Sequence, residues 1–415
     1  MASIACGKQV RPRLNTKKTV AKEEPTYMKF KDISFRPEIQ QALTEMGYEE
    51  LSPIQEKTLL PILEGRDMVA IAETGSGKTG ACGVPLTQLT DEEIKAVQVL
   101  VLVPTRELAL QYVSEIYDIA EYTKIEAAAV YGGSSKSEQW NQLKRGAQIL
   151  IATPGRLIDF LHDGQLEFRH LKTLVLDEAD EMLDMGFVDD VRFIMSCIRA
   201  PHQILLFSAT MPRVLDGLIK QFLHDPIRIE LNLKDVAPSS LSHEFNYISA
   251  AHDRDEILLR FLQNRANYRQ VLIFCNSRFK GDHLYRKLRR DIPQSDYLHG
   301  GMDQELRSKI FGKFKRGNLP VLVATDVAGR GLDFSNVSHV VNFDFPRDVV
   351  TYTHRTGRTG RMGKEGTAIS FVTDHDISTC FRVIEQNGIS PKWHGEVPSP
   401  TRRKKNSGRK PYRRG

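Results

Sequence analysis

The sequence is poor in cysteine and contains no long apolar run. Its 415 residues include five cysteines, far apart at positions 6, 82, 197, 275 and 380, with no CxxC pair and no Cys/His spacing typical of a metal site. We therefore expect no disulfide framework and predict a reducing compartment, the cytoplasm. No stretch of about 18 apolar residues occurs, which excludes a membrane-spanning helix.

We expect no secretory signal, because the apolar run that begins at Ile4 is only three residues long. A transit peptide is the alternative for this basic N-terminus, although arginine and serine are sparse there. The composition, 40% hydrophobic and 27% charged, excludes wholesale disorder. The length leaves room for two or three domains of roughly 100–200 residues each.

The net charge of +6 is unevenly distributed. Residues 1–24 sum to +4 and residues 401–415 to +8, which leaves −6 for residues 25–400. The terminal segments lack a periodic apolar face and are expected to be disordered basic tails. The chain is thus predicted to be a mildly acidic body with two basic ends.

Nine short runs rich in Val, Ile and Leu predict β-strands, and most are followed by a polar or glycine-containing turn and then a helical pattern. Fully apolar strands that alternate with helices are typical of a parallel sheet covered on both faces. The runs are residues 68–72, 99–103, 149–152, 173–176 and 204–207, then 271–274, 321–324, 339–343 and 367–372. They predict two α/β units in tandem.

Residues 231–242 lose the apolar periodicity and gather Asp, Pro and Ser, which is the composition of a linker. The predicted organisation is a tail at 1–24, a first domain at 25–230, this linker at 231–242, a second domain at 243–395 and a tail at 396–415.

A phosphate-binding loop is predicted between a strand and a helical stretch. Freed backbone amides and the helix N-terminus can bind phosphates, Lys78 can reach the terminal phosphates, and Thr79 can ligate Mg²⁺. A glycine-rich turn without a ligand is the alternative. The loop consists of Ala72, Glu73, Thr74, Gly75, Ser76, Gly77, Lys78 and Thr79, with Ala72 where the general pattern has its first glycine.

Two acids, Asp177 and Glu178, follow the apolar run 173–176 and so lie at the carboxyl end of a buried strand, where open α/β sheets bind ligands. Asp177 suits a Mg²⁺ ligand, partly through water, and Glu178 suits a group that orients and activates an attacking water. Alone, the acidic cluster would equally suit a helix N-cap. Together with Lys78 upstream, it predicts a hydrolysis site.

Residues 354–361 contain three arginines at three-residue spacing, Arg355, Arg358 and Arg361. This spacing predicts guanidinium groups along one side, where they could meet phosphate oxygens. An arginine that reaches a γ-phosphate from another domain stabilises transition-state charge and couples the chemistry to domain closure. A solvated basic turn is the alternative.

These residues, in this order, resemble the DEAD-box ATP-dependent RNA helicases of superfamily 2, over roughly residues 30–372. The acidic tetrad at 177–180 gives that family its name, and its A-x-T-G-x-G-K-T loop matches residues 72–79. The resemblance implies an α/β fold of two RecA-like domains, with ATP and Mg²⁺ as cofactors.

Residues 47–55 resemble the Q motif of this family, with Phe30 at the position of its isolated upstream aromatic. The resemblance implies adenine recognition. The amide of Gln55 can both donate to and accept from the adenine edge, and Phe30 can stack on the base.

Other segments match those that contact the RNA backbone in the family, where hydroxyls, amides and helix N-termini bind phosphates without reading bases. Taken alone, the Gly132-Gly133 pair would indicate only a turn. In the first domain these residues are Pro104, Thr105, Arg106, Gly132, Gly133, Thr153, Gly155 and Arg156, and in the second they are Arg278, Gly300, Thr325 and Asp326.

Residues 208–210 resemble motif III, which implies that Ser208 and Thr210 couple the nucleotide site to RNA through hydrogen bonds with Asp180. A cap after the strand at 204–207 is compatible with the same role. Residues 324–333 resemble motif V, which implies that Asp333 contacts the ATP ribose.

By the same resemblance, Arg358 and Arg361 are the arginines that reach the phosphates, and they join Lys78, Asp177 and Glu178 as the predicted catalytic set. Two positions, Gly329 and Thr356, differ from the alanine and isoleucine that are common in the family. Neither has proposed chemistry, so both differences are interpreted as neutral.

The predicted function is an RNA-stimulated ATPase that separates short RNA duplexes or displaces bound protein by closing two domains around ATP and single-stranded RNA. Contacts to the RNA are expected to be sequence-independent, and targeting is expected to depend on the basic tail or on protein partners of a monomer.

An ATP-dependent RNA clamp with little turnover and a DNA helicase on the same fold are the alternatives. Glu178 and the arginines argue against the clamp, and the Q motif favours RNA. A P-loop kinase does not explain the acidic tetrad and a second α/β domain.

Overall fold

The computed structural model describes residues 28–72, 77–231, 241–248, 253–326, 336–360 and 364–399. Their strands form two seven-stranded sheets in which every paired neighbour is parallel. This confirms the predicted α/β class. Among the described residues, no helix is long and apolar enough to cross a membrane.

The first sheet has the order β3-β4-β2-β5-β6-β1-β7. Its strands are β1 Met68–Ile71, β2 Val99–Leu102, β3 Ala127–Val130, β4 Ile149–Ala152, β5 Thr173–Leu176, β6 Gln203–Ser208 and β7 Ile227–Glu230. The accompanying helices are α1 Pro37–Glu45, α2 Pro53–Leu63, α3 Lys78–Leu89, α4 Arg106–Ile119, α5 Lys136–Leu143, α6 Pro154–His162, α7 Ala179–Asp184, α8 Val188–Cys197 and α9 Arg213–Phe222.

The second sheet has the order β10-β11-β9-β12-β13-β8-β14. Its strands are β8 Leu241–Tyr247, β9 Val271–Cys275, β10 Ser295–Leu298, β11 Val321–Thr325, β12 His339–Asn342, β13 Gly366–Val372 and β14 Lys392–His394. Its helices are α10 Arg254–Gln263, α11 Arg278–Asp291, α12 Gln304–Lys315, α13 Val349–Thr356 and α14 Ile377–Gln386. Short 3-10 helices occupy Phe30–Asp32 and Arg265–Asn267.

Strand β2 shows why the central strands are apolar along their whole length. Leu100 and Leu102 face the core on one side of the sheet, with Phe160 of α6, whereas Val99 and Val101 face the core on the other side. Successive side chains of a strand point to opposite faces, so a sheet covered on both faces leaves no position for a solvated residue.

All nine predicted strands are present, and none of their ends differs by more than one residue from the prediction. Five strands were not predicted: β3, β7, β8, β10 and β14. Four of these are the outermost strands of their sheets, and β8 lies next to one of them. Outer strands have a single paired neighbour, and polar residues interrupt β7, IRIE, and β10, SDYL.

The linker prediction needs one correction. Leu241 and Ser242, assigned to the linker from composition, are the first residues of β8 and pair with Gly366 and Thr367 of β13. Strand β7 of the first sheet ends at Glu230. Residues 232–240, the tail at 1–24 and positions 400–415 lie outside the described residues, and the domain limits otherwise stay a prediction.

The strand order separates two groups of loops at the carboxyl edge of the first sheet. Strands β3, β4 and β2 are neighbours on one side, and β6 and β1 are neighbours on the other, with β5 between the groups. The loops predicted to contact RNA follow β2, β3 and β4. Those predicted to bind nucleotide follow β1 and β5.

Candidate functional site

The start of α3 carries the predicted phosphate loop. Gly77 immediately precedes the helix with φ of 93°, a left-handed conformation that favours glycine. Lys78 is buried, and its Nζ donates to the carbonyl oxygen of Ala72 at 2.9 Å, so that the side chain reaches back to the residue after β1. Thr79 is partly buried one residue further on. Glu73, Thr74, Gly75 and Ser76 lie outside the described residues.

The predicted Q motif packs against this helix start. Gln55 is the third residue of α2 and completes a capping box, in which its Oε1 accepts from the Ser52 backbone amide at 2.7 Å. Its Nε2 donates to the carbonyl oxygen of Gly77 at 3.5 Å. A Cβ on Gly80 would lie only 2.9 Å from the same Nε2, so glycine permits this close approach.

Gln55 therefore has one hydrogen-bond partner for its amide oxygen within the chain. The amide oxygen that was expected to accept from adenine already accepts from Ser52 within the chain. The amide does lie beside the phosphate loop, so adenine recognition by Gln55 stays a prediction.

Phe30 also differs from expectation. Its ring is 2% exposed and packs against Phe35, with ring centroids 6.4 Å apart, and against the edge of Tyr48 at 5.2 Å. A ring enclosed by its own hydrophobic cluster presents no open face to a base, so the structure contradicts the predicted stacking. Tyr48 is less buried and donates its hydroxyl hydrogen to Glu115.

Asp177 and Glu178 lie at the carboxyl end of β5. The Glu178 backbone amide donates to Oδ1 of Asp177 at 2.8 Å, and the Tyr112 hydroxyl donates to Oδ2 at 2.6 Å. Glu178 itself has φ of 50° and ψ of 49°, a left-handed conformation that is costly for a residue with a side chain. Such strain is typical of functional positions.

The electrostatic surroundings of Glu178 join the predicted catalytic residues. Burial raises the pKa of its carboxyl, and the negative charges of Asp177 and Glu181 add to this rise. The positive charges of Arg358 and Lys78 act in the opposite direction. Its Oε2 is buried without a hydrogen-bond partner among the described residues. An arginine of the second half of the chain thus acts on an acid of the first.

Motif III contacts the last acid of the tetrad, as expected from the resemblance. Oδ2 of Asp180 accepts from the backbone amide of Thr210 at 2.8 Å and from its hydroxyl at 2.9 Å. The Ser208 hydroxyl donates to the Thr210 carbonyl oxygen at 2.6 Å and lies 3.3 Å from the Asp180 amide. These hydrogen bonds join the end of β6 to the first turn of α7.

His354 completes this cluster from the second half of the chain, and sequence reasoning did not single it out. Its Nε2 lies 3.5 Å from Oδ2 of Asp180, and its Nδ1 contacts Glu181. Burial alone would lower the pKa of His354, but hydrogen bonds to Asp180 and Glu181 raise it to about 9. The charged histidine bridges the two sheets.

A second contact between the sheets was also missed. Nε of Arg307, on α12, lies 3.1 Å from Oε1 of Glu107 on α4, and both side chains are largely buried. Glu107 directly follows Arg106 of the predicted RNA segment. Neither residue carries a sequence signal of pairing, because the two positions are far apart in the chain.

Arg355 corrects the interpretation that all three arginines of 354–361 face phosphate oxygens. Its guanidinium binds both carboxylate oxygens of Asp326, at 2.5 and 2.8 Å, and also the side-chain oxygen of Asn276 at 2.6 Å. It is 2% exposed and therefore committed to the second sheet. Arg358 is equally buried, whereas Arg361 and Asp333 lie outside the described residues.

The predicted RNA residues of the first sheet lie on adjacent strand ends. Thr105 caps α4 after β2, Gly132 and Gly133 follow β3, and Thr153 precedes α6 after β4. Both glycines are exposed, as is Gly155 near the N-terminus of α6. Pro104 is buried between β2 and α4. Backbone amides and two helix N-termini therefore face one edge.

The two arginines of this group are occupied within the chain. Arg106 lies over the Tyr131 ring, 4.6 Å from its centroid. Arg156 donates to the Ser134 carbonyl oxygen at 3.1 Å and to the Gln139 side chain at 2.9 Å. Arg156 thereby supports the loop that follows Gly132 and Gly133, which differs from a purely RNA-facing role.

In the second sheet, all four predicted RNA residues line one cavity of about 360 Å³. They come from three strand ends, because Arg278 follows β9, Gly300 follows β10, and Thr325 and Asp326 both lie at the end of β11. Arg347 also lines this cavity and is exposed, and sequence reasoning missed it because it belongs to no recognised motif. Asp348 and Thr351 line it too, at the start of α13.

Two family models match the chain. The DEAD/DEAH box helicase model matches residues 52–218, and the helicase conserved C-terminal domain model matches residues 253–363. The ATP-dependent RNA helicase CshA of Listeria monocytogenes is 41% identical over 360 residues, which cover 86% of this chain and 68% of that protein. The chain belongs to the DEAD-box family of ATP-dependent RNA helicases.

Further relatives agree with the assignment of this DEAD-box helicase. The DEAD-box ATP-dependent RNA helicase RhpA of Helicobacter pylori is 40% identical over 86% of this chain and 72% of its own length. The structure of S. cerevisiae Dbp5 bound to RNA and ADP BeF3 superposes with a TM-score of 0.80 and 29% identity. That match covers 88% of this helicase and 95% of the Dbp5 chain, which confirms the two RecA-like domains.

Proposed function

We propose that this helicase hydrolyses ATP between its two sheets. Lys78, Thr79, Asp177 and Glu178 would form the wall contributed by the first sheet. Arg358, together with Arg361 and Asp333, would form the wall contributed by the second. The electrostatic influence of Arg358 on the pKa of Glu178 is the observation that carries this proposal, because it relates a base and an acid from opposite halves of the chain.

The residues present fit a Mg²⁺ ion. The Thr79 hydroxyl and the Asp177 carboxylate are oxygen ligands of the kind that this ion prefers, and Asp177 is buried at the end of β5, where two hydrogen bonds hold its carboxylate. Mg²⁺ is usually held by one or two such ligands together with substrate phosphates. When bound, it neutralises charge on the β- and γ-phosphates.

Glu178 would orient the attacking water and accept its proton. Burial raises the pKa of Glu178 toward neutral pH, and a general base is most effective when its pKa lies near the working pH. Its left-handed backbone conformation lies at the strand end, and its buried Oε2 has no hydrogen-bond partner among the described residues, so this oxygen is not already used as an acceptor there. Arg358 and Lys78 would stabilise charge that develops on the γ-phosphate.

RNA would lie across the carboxyl edges of both sheets as a single strand or a short duplex. In the first sheet, the amides and hydroxyls after β2, β3 and β4 would bind successive phosphates. In the second, the cavity lined by Arg278, Thr325 and Arg347 would continue the path. Contacts of this kind do not read bases, so binding would be independent of sequence. Closure would bend the strand and unpair a short duplex.

Coupling would depend on the cluster around Asp180. Thr210 and His354 both contact its Oδ2, so a single carboxylate oxygen joins motif III to the second sheet. Closure that completes the ATP site would therefore also order the loops that contact RNA. Hydrolysis and loss of phosphate would release the cluster.

The cellular setting is proposed from the sequence. The four cysteines within the described residues are free thiols, which suits the cytoplasm. We expect the helicase to act as a monomer, directed to its RNA by the basic tail or by protein partners.

The test is an ATPase assay with and without single-stranded RNA, comparing the wild type with Glu178→Gln. RNA should stimulate the wild type, and the variant should lose at least about 100-fold in turnover, as when a group that acts in the transition state is removed. Glu167→Gln is the matched control, because this exposed acid of the same domain pairs with Arg169 in the segment that precedes β5, at the opposite end of the strand from Glu178. Normal hydrolysis by Glu178→Gln would contradict the proposal.

A further inference from the structure

A buried tyrosine, Tyr112, contacts the proposed Mg²⁺ ligand from helix α4. We propose that Tyr112 is a positioning residue, which holds the Asp177 carboxylate in the orientation that Mg²⁺ binding requires and links it to the helix that carries RNA contacts. This inference rests on the proposed function, because it assumes that Asp177 ligates Mg²⁺. No sequence motif identified above includes Tyr112.

The geometry around Asp177 is specific. The Tyr112 hydroxyl donates to Oδ2 at 2.6 Å, and the Glu178 amide donates to Oδ1 at 2.8 Å. Tyr112 is fully buried and Asp177 is 2% exposed. A hydrogen bond to an ionised carboxylate at this distance is strong. Because the two donors bind different oxygens, the carboxylate cannot rotate without breaking a hydrogen bond.

The direction of this hydrogen bond follows from the chemistry of the groups. A carboxylate only accepts, so the single hydroxyl hydrogen of Tyr112 is donated to Asp177. The buried thiol of Cys82, on α3, interacts with the same hydroxyl. Helix α3 begins at Lys78, so the tyrosine joins three parts of the nucleotide site: the loop helix, helix α4 and the end of β5.

Helix α4 also carries contacts outside the nucleotide site. Thr105 caps its first turn, beside Arg106, in the segment predicted to bind RNA. Glu107 pairs with Arg307 of the second sheet. Tyr112 lies about two helical turns from Thr105, roughly 10 Å along the axis. An α-helix moves as a rigid element, so displacement of its first turn also displaces the hydroxyl that holds Asp177.

Residues that hydrogen-bond to a metal ligand without contacting the metal typically lower metal affinity by about 10–100-fold when they are removed. Tyr112→Phe removes only the hydroxyl and keeps the buried ring. Oδ2 of Asp177 then loses this donor, and the carboxylate gains rotational freedom. Mg²⁺ affinity should fall, whereas contacts of the protein with the nucleotide itself should be retained.

The experiment measures equilibrium binding of a fluorescent ADP, labelled on its ribose with a methylanthraniloyl group, as Mg²⁺ is added to the full-length helicase. Tyr112→Phe should raise the Mg²⁺ concentration that gives half of the affinity gain by about tenfold. Binding without Mg²⁺ should stay within about twofold of the wild type. The readout requires no hydrolysis.

Tyr117→Phe is the matched control. This tyrosine lies on the same helix and also uses its hydroxyl, which donates to the Ala127 carbonyl oxygen at 3.1 Å, but it is 46% exposed and faces away from the nucleotide site. Its Mg²⁺ response should equal that of the wild type. Equal shifts in both variants would indicate a general effect of loosening α4 and would overturn the inference.

Asp177→Asn distinguishes the positioning role of Tyr112 from the proposed role of Asp177 as a Mg²⁺ ligand. If this variant keeps the wild-type Mg²⁺ response, Asp177 is not the ligand and the proposed function fails at this point. If Asp177→Asn loses the response while Tyr112→Phe keeps it, only the positioning role is overturned. The double variant should respond like Asp177→Asn alone, since Tyr112 acts through that carboxylate, and additive effects would contradict this.

An equal loss of nucleotide affinity with and without Mg²⁺ in Tyr112→Phe would overturn a role of the hydroxyl that is specific to the metal.

A second measurement concerns RNA. With saturating Mg²⁺, the RNA concentration for half-maximal stimulation should stay unchanged in Tyr112→Phe, because Thr105 and Arg106 are intact. A several-fold rise in that concentration would show that the hydroxyl supports RNA binding instead.

Discussion

The two sheets have the same strand order, yet the acids at their carboxyl ends are used differently. Numbered along the chain within each sheet, both run 3-4-2-5-6-1-7. Glu178 follows the fifth strand of the first sheet, and Asp344 follows the fifth strand of the second. Equivalent places in one topology thus carry an acid each.

The pairing of these acids differs. Asp344 accepts from Arg254 at 3.0 Å, from Lys280 at 2.8 Å and from the Asn276 amide at 3.0 Å. Burial would raise its pKa, but these partners lower it. Glu178 keeps a buried oxygen that has no partner within the described part of the chain, and burial raises its pKa. The fold positions both acids, and the presence of paired bases decides which of them is available for chemistry.

Charge separates the two halves as well. Residues 25–242 contain 21 Lys and Arg against 32 Asp and Glu, whereas residues 243–395 contain 23 against 17. The first half is therefore at −11 and the second at +6. The negative half contains the proposed wall with Lys78 and Asp177, and the positive half contains Arg358; opposite net charges attract each other, which favours closure.

The largest expected effect comes from removing the arginine that acts across the two sheets. Arg358→Ala should lower RNA-stimulated turnover by about 10³-fold, since arginines of this kind stabilise the charge of the transition state. The measurement is steady-state ATPase at saturating RNA. Arg382→Ala, an exposed arginine of α14 in the same half, is the control. Turnover within threefold of the wild type would show that Arg358 does not reach the phosphates.

Arg355 should respond in the opposite manner, although it lies only three residues away. Arg355→Ala leaves Asp326 and several buried oxygens without their partner, which should cost about 3 kcal/mol in the free energy of unfolding. Urea unfolding measures this loss. A large fall in turnover with unchanged stability would instead place Arg355 at the phosphates.

The contact between His354 and Asp180 predicts a pH dependence of closure. The pKa of His354 rises from an ordinary 6.5 to about 9 in the joined state. Its contribution is therefore complete below pH 6.5 and is lost as the pH rises through 9. RNA affinity in the presence of a non-hydrolysable ATP analogue should fall about tenfold between pH 7 and 9.5.

In His354→Gln this fall should disappear, because glutamine does not titrate. Fluorescence anisotropy of a labelled RNA gives the affinity at each pH. Parallel pH profiles for the two proteins would assign the dependence to another group.

The smallest expected effect concerns the C-terminal basic segment. Strand β14 runs parallel to β8, so the chain leaves the second sheet at its carboxyl edge, the edge that carries the RNA cavity. Deleting residues 401–415 should raise the RNA concentration for half-maximal stimulation several-fold and flatten its salt dependence, with maximal turnover nearly intact. A segment of equal length with its eight basic residues replaced by serine distinguishes charge from length. If the salt dependence of this RNA concentration is unchanged by the deletion, residues 401–415 have a function other than attracting RNA.

The predictions from sequence succeeded at the centre of each sheet and failed at the outside. Strand β5 was predicted to the residue because its four positions are all buried, whereas β14, KWH, has one exposed and two partly buried residues. Central strands need apolar side chains on both faces, which leaves a signal in the sequence. Outer strands pair with a single neighbour and leave little signal in the sequence.

The site divides along similar lines. Lys78, Asp177 and Glu178 could be singled out as candidate site residues because each lies at a recognisable spacing after an apolar strand. Phe30 was predicted to stack on adenine and is instead buried. Its spacing indicated an aromatic at that place, but the cluster that encloses the ring combines nearby residues such as Phe35 with distant ones such as Ile119, and only the folded chain brings them together.

The sequence by itself determined the two α/β units, the order of the motifs and the family, because these depend on local patterns of apolar, glycine and charged residues. Only the tertiary structure decided that Arg355 pairs within its own sheet while Arg358 acts on Glu178, that His354 bridges to Asp180, and that Tyr112 holds Asp177. Each of these is a pairing between residues far apart in the chain, and the free energy of a buried polar group depends on which partner folding brings within hydrogen-bond distance.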